Sequence, residues 1–153
     1  MNFKKLTSFI ENHKKEFKNS SLRLNSKEIK RNDIFVSLAD DPIKSGLNIE
    51  DAVKKGASAI ITSIEPKEDL TVPVIYFLNL KNKLGDLANF FYKDPSKKLN
   101  LFGITGTNGK STTAYFLHQL LNKNNFNSSL LSNIKNNREG VFFSKLTTPD
   151  ILS

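Results

Sequence analysis

Apolar positions along this chain fall first into helical and then into strand spacing. Phe3, Leu6, Phe9, Ile10, His13 and Phe17 lie close to a 3.6-residue period, which predicts one amphipathic helix over 3–18 with His13 packed on its apolar stripe. Residues 22–25 are a short strand candidate, and the run Ile34, Phe35, Val36, Ser37, Leu38 is a firmer one. The polar stretch between them turns at Asn32 and Asp33. A loop over 40–46 precedes a helix that Asn48 caps and Gly56 ends, and a buried strand follows over 57–62. Residues 72–77 read as another strand, with Pro73 where no ladder donor is needed, and 80–92 as a helix presenting Leu84, Leu87, Ala88 and Phe91 on one face. Strands alternating with helices predict an α/β fold built on a parallel sheet.

Residues 93–98 interrupt this pattern with Pro95 and a cluster of charges, so a domain boundary is expected here, with one domain over 1–95 and a second over 96–153. Beyond it, Leu99, Leu101, Phe102 and Ile104 predict a short buried strand, residues 110–124 a helix, 128–132 and 141–146 further strands, and 135–140 a polar loop. A doubly wound phosphate-loop domain takes roughly 150 residues to cover both faces of its sheet, so the second domain reads as the truncated start of one.

The junction of that strand and helix carries the most specific chemistry. The spacing is Gly103-x2-Gly106-x2-Gly109-Lys110-Ser111, and a Gly-x-x-Gly-Lys-Ser/Thr string arises by chance in about one of a few hundred chains of this length. Gly106 and Gly109 free the backbone for a tight turn, and the unpaired N–H groups at the helix start lie at the positive end of its dipole, where a phosphate accepts several hydrogen bonds. The candidate ATP site is therefore Gly106, Thr107, Asn108, Gly109, Lys110, Ser111 and Thr112. Lys110 is the candidate catalytic residue, a point charge on the terminal phosphates, while Ser111 or Thr112 offers a hydroxyl to Mg²⁺, with Ser111 preferred as the metal ligand.

Composition excludes more than it selects. The 153 residues are 38% hydrophobic and 25% charged, ordinary for a soluble protein, and the absence of cysteine rules out disulfides and thiolate metal sites. His13 and His118 are too few and too far apart for a zinc site, so a cofactor metal is expected to be Mg²⁺ held through phosphate. No stretch has the length of a signal peptide or a membrane span, which predicts a cytoplasmic protein with no membrane partner. The net charge of +8 comes mostly from dispersed lysines, without arginine clusters or stacking aromatics, so anionic small molecules are expected as ligands and nucleic acid is not.

Four segments, in order, resemble the Mur ligases, the ATP-dependent enzymes that build the peptide of peptidoglycan precursors. Within the loop over 104–113, residues 105–112 match the family's Thr-Gly-Thr-Asn-Gly-Lys-Thr-Thr with Ser111 for its first Thr after lysine. Residues 91–96 are similar to a Phe-Tyr-x-x-Pro-Ser linker. Asn25-Ser26-Lys27, followed by residues 32–38, resembles the Asp-Ser-Arg and Gly-Asp-Leu-Phe-Val-Ala-Leu segments of a uridine-binding domain, and Thr147-Thr148-Pro149 resembles a Thr-Thr-Pro at the UDP-sugar. Asn25 and Lys27 stand where that motif has Asp and Arg.

The resemblance implies that 1–95 is a small α/β domain binding a UDP-sugar and that 96–153 begins the ATP-binding domain. Leu24 and Ser26 would lie against the uracil and ribose, Asp41, Pro42 and Ile43 would border the same ligand, and Thr147 and Thr148 would meet its sugar-phosphate part. The linker and the Thr-Thr-Pro imply the branch whose substrates are UDP-N-acetylmuramoyl-L-alanyl-D-glutamate, ATP and an amino acid, which becomes the third residue of the peptide. Phosphorylation of the glutamate carboxylate gives an acyl phosphate, which supplies the leaving group that an amine can displace. The resemblance further implies that this chain is inactive alone, because the remaining metal ligands and the domain choosing the amino acid lie downstream in the family. Another Mur-type ligase, a small phosphate-loop kinase, and a uridine-nucleotide module without catalysis are the competing readings, and the third amino acid and the oligomeric state are not legible.

Overall fold

The computed structural model describes residues 3–66 and 70–132, together with the backbone of 141–142. It divides into two compact units, Met1–Lys98 and Leu99–Ile151.

The first unit opens with helix α1, Phe3–Asn12, which buries Leu6 and Ile10. The expected helix over 3–18 stops early. His13 donates a ring N–H to the Phe9 carbonyl at 2.8 Å, and its ring packs in a cluster with those of Phe9 and Phe17 at centroid distances of 4.4 and 5.6 Å. A series of turns therefore brings Phe17 into the core without further helix. Strand β1, Leu22–Arg23, leads through a 3₁₀ turn, Ser26–Glu28, into β2, Ile34–Ser37.

Helix α2 then runs over Pro42–Lys54 and corrects two expectations, the loop over 40–46 and the cap at Asn48. The cap is Asp41, whose carboxylate accepts the Lys44 N–H at 2.9 Å, and Pro42 fills the first helical position, where its missing N–H costs no bond. Gly56, at φ +89°, turns the chain out of this helix into β3, Ala59–Thr62. Strand β4, Val74–Tyr76, and helix α3, Leu80–Phe91, complete the unit.

The four strands are parallel in the order β1-β2-β3-β4, with Leu22 opposite Ile34, Ile34 opposite Ala59, and Ile60 opposite Val74. Side chains alternate across the sheet. Ile34, Val36, Ala59 and Ile61 point to the face covered by α1 and α3, where they meet Leu6, Ile10, Leu80, Leu84 and Leu87. Phe35 and Ile60 point to the other face and pack on Ile49 and Ala52 of α2 and on Ile29. Burial on both faces explains why β2 and β3 are near-continuous apolar runs.

In the second unit, Gly109 sits at φ +76° immediately before helix α4, Lys110–Lys123, and short strands β5, Leu130–Leu131, and β6, Val141–Phe142, pair in parallel. His118 of α4 is buried, with its ring 2.8 Å from the Ser128 hydroxyl. The buried strand expected over 99–104 does not form, and Leu99, Leu101 and Phe102 are 61–75% exposed. An apolar run becomes a strand only where a neighbour takes up its backbone donors and acceptors, and among the described residues no strand pairs with this segment. The expected loop over 135–140 and most of the strand over 141–146 lie outside the described residues. Among the described residues no helix is long and apolar enough to cross a membrane.

Candidate functional site

At the carboxyl ends of β1 and β2 the first unit opens a cleft of about 440 Å³. Leu24, Phe35, Leu38 and Ala39 give it apolar walls, and Ser37, Asp40, Asp41, Lys44 and Asn48 supply polar groups from the end of β2 and the first turns of α2. The Ser37 hydroxyl is 2.9 Å from that of Ser45, and both side chains are buried, so the cleft wall at this point is braced from behind by α2.

Of the residues expected to hold a UDP-sugar, Leu24 and Asp41 line this cleft. Pro42 and Ile43 occupy the exposed first turn of α2, with Ile43 at 77% exposure, and neither lines it. Ser26 is buried, and its carbonyl accepts the Lys55 ammonium at 3.1 Å. Thr147 and Thr148 lie outside the described residues. Phe35, Ser37, Lys44 and Asn48 were not anticipated. The signal that finds them is topological, since open parallel sheets bind ligands at the carboxyl ends of their strands.

Beside Ser26, the Lys55 ammonium and then the Ser26 hydroxyl hold the Asp51 carboxyl below the ordinary aspartate value, and the ammonium lies 2.7 Å away. A lowered folded value stabilises the fold at pH above the ordinary aspartate range, and that contribution is lost as pH falls through the folded value. Lys55→Met is expected to move the Asp51 midpoint upward in a carboxyl NMR titration. A midpoint that stays put would mean the pair does not form in solution.

The glycine-rich turn places Gly106 at φ +149° and Gly109 at +76°, conformations that strain any residue with a Cβ. Among the described residues no group accepts a hydrogen bond from the amides of 106–112, while the Thr113 amide already closes the first bond of α4 onto the Gly109 carbonyl at 2.9 Å. Seven consecutive donors are thus left at the start of a helix. The Lys110 ammonium bends back over them and donates to the Gly106 and Thr107 carbonyls at 2.7 and 3.2 Å. Gly106, Thr107, Asn108, Gly109, Lys110, Ser111 and Thr112 therefore stand together on one turn, with Ser111 half-buried and Thr112 exposed. Among the described residues no three acidic or histidine side chains gather to hold a metal, so a cation here would depend on the Ser111 or Thr112 hydroxyl and on phosphate oxygens.

No family model matches the chain. It is 39% identical over 131 residues to the UDP-N-acetylmuramoyl-L-alanyl-D-glutamate–2,6-diaminopimelate ligase of Wigglesworthia glossinidia brevipalpis, covering 79% of this chain and 26% of the relative. The ligase of the same name from Bacillus cereus is 35% identical over 136 residues, covering 88% and 27%. The crystal structure of MurF ligase from Thermotoga maritima in complex with ADP superposes with a TM-score of 0.52 at 26% identity, over 68% of this chain and 23% of that one. The chain spans about a quarter of the length of the relatives it matches. With that likeness running across most of its length, and with the parallel α/β sheet common to its structural neighbour, the chain belongs to the Mur ligase family.

Proposed function

We propose that this chain carries the nucleotide-binding part of an ATP-dependent amide ligase of peptidoglycan precursor synthesis, acting on UDP-N-acetylmuramoyl-L-alanyl-D-glutamate. The first unit is the UDP-sugar domain, with the uridine in the cleft lined by Leu24 and Asp41. The second begins the ATP-binding domain. Both curated relatives are named for joining 2,6-diaminopimelate, which makes it the amino acid to test first.

The observation that carries this reading is the row of unaccepted amides over 106–112, followed by a helix and crossed by one ammonium. A run of donors leading into a helix start is complementary to an anion, and its length suits a polyphosphate. The loop residues fit a nucleotide: the two left-handed glycines keep Cβ atoms out of the turn, and Ser111 and Thr112 offer hydroxyls for a phosphate-bound magnesium ion. ATP supplies the phosphoryl group that gives a carboxylate a competent leaving group. The part of this chain is to bind and orient it, with Lys110 and the loop amides set against charge on the phosphoryl oxygens.

Titration calorimetry of the whole chain tests the reading. Saturable binding is expected for UDP, and separately for ATP that depends on magnesium. UDP binding without ATP binding would favour a uridine-nucleotide module, and failure of both ligands would sink the proposal.

A further inference from the structure

Asp33 is nine-tenths or more buried, yet it neither lines the cleft nor belongs to the phosphate loop. Its carboxylate is fully engaged: Oδ1 accepts the Ser21 N–H at 3.0 Å, and Oδ2 accepts the Lys30 N–H at 3.0 Å and the Arg23 Nε–H at 3.2 Å. A buried carboxylate is tolerated only when so satisfied, so the location of these donors is informative. Ser21 and Lys30 stand at the two ends of one segment, and that segment contains Leu24 and Ser26.

The same segment makes an unusually tight connection. Parallel neighbours normally need a crossover of a dozen or more residues, whereas β1 reaches β2 through residues 24–33 and a single 3₁₀ turn. Strand β1 is two residues long and lies at the sheet edge, and its Leu22 N–H is taken by the Tyr92 hydroxyl at 3.0 Å. Little ladder pairing fixes where Leu24 sits. The Asp33 carboxylate supplies that constraint by tying both ends of the segment to one buried point, while its own amide and carbonyl are held by the Lys30 carbonyl and the Ser58 N–H at 3.0 and 2.8 Å.

From this we infer that Asp33 is a positioning residue for the nucleotide cleft: it sets the place of Leu24 by clamping residues 21–30, and so tunes uridine affinity without touching the ligand. The inference rests on the uridine reading of the cleft. Asn at this position keeps the shape but loses one acceptor and the ion pair, and Arg23→Met removes only the ion pair.

Two measurements on the whole chain test it. By hydrogen exchange, the amides of 24–29 are expected to open faster in Asp33→Asn than those of β2 and β3, and in Arg23→Met to a smaller degree. By calorimetry with UDP, well below the melting midpoint of each variant, the dissociation constant is expected to rise about 10-fold in Asp33→Asn and about 3-fold in Arg23→Met. Should Asp33→Asn fail to fold, the Arg23→Met pair of measurements decides the matter alone. A uniform rise in exchange across the unit, or local opening with unchanged UDP affinity, would overturn the inference and leave Asp33 with stability alone. If UDP does not bind the unsubstituted chain, the uridine reading fails, and the exchange comparison still decides whether the clamp exists.

Discussion

Lys110→Ala is expected to weaken binding of magnesium ATP to the chain by at least about 100-fold while leaving UDP affinity within a factor of two. Lys110 already places its ammonium over the turn, where it donates to two backbone carbonyls at the protein surface. These bonds run to neutral carbonyls at an exposed site where water competes, so exchanging them for anionic phosphate oxygens costs little and gains two contacts between opposite charges of roughly 1.5–3 kcal/mol each. Their sum, about 3–6 kcal/mol, corresponds to roughly 10²- to 10⁴-fold in affinity. Lys110→Arg is a stricter probe, because a planar fork cannot replace a point charge that must bend back across its own helix start. Calorimetry with ATP and with UDP on the same preparation separates the two sites. Equal loss of both ligands would show that the substitution damages the fold, and unchanged ATP binding would remove Lys110 from the site.

How far this could be foreseen depended on whether the deciding interaction was local. Strands β2 and β3 were legible because parallel strands buried on both faces must be continuous apolar runs, and Ile34 to Val36 and Ala59 to Ile61 are such runs. Helix α3 was legible from the spacing of Leu84, Leu87 and Ala88, and the turn at 106–110 from two glycines, of which Gly106 at φ +149° holds a backbone that residues with a Cβ rarely adopt. The start of α2 was misread because two caps compete there. Asn48 lies beside the first clearly periodic apolar position, whereas Asp41 followed by Pro42 caps about two turns earlier, where Ile43 and Leu47 are exposed and leave no apolar stripe to detect.

Other features were invisible in principle. Whether 99–104 becomes a strand depends on what lies beside it, which spacing along the segment does not encode. Asp33 read as one half of an Asn-Asp turn, and Asn32 does adopt φ +74° there, but nothing local says that its carboxylate reaches Ser21. The cleft behaves likewise: Leu24, Phe35 and Asn48 meet only because β1, β2 and α2 converge, and each alone is an ordinary core or helix residue.

Phe35→Ala is expected to be the most damaging single truncation in the first unit. The ring is 1% exposed, at the centre of β2, and its partners on the α2 face are Ile29, Ile49, Ala52, Ala57 and Ile60. Two of those five are alanines, which cannot swing into the space a phenyl ring leaves, so the cavity persists and the cost lies in the upper range for such changes, about 3–5 kcal/mol. For a unit of this size each 1 kcal/mol lowers the melting midpoint by roughly 4–8 °C, so a fall of more than about 12 °C is expected by circular dichroism. The same ring forms a wall of the cleft, and its loss joins the cavity to the ligand space. UDP affinity is therefore expected to drop even in the folded fraction at low temperature, while Phe35→Leu, which keeps most of the volume, retains both properties more nearly intact. A truncation costing under about 1 kcal/mol would mean that α2 collapses onto the sheet to fill the gap. A cleft that still bound UDP normally would place the uridine elsewhere in the unit.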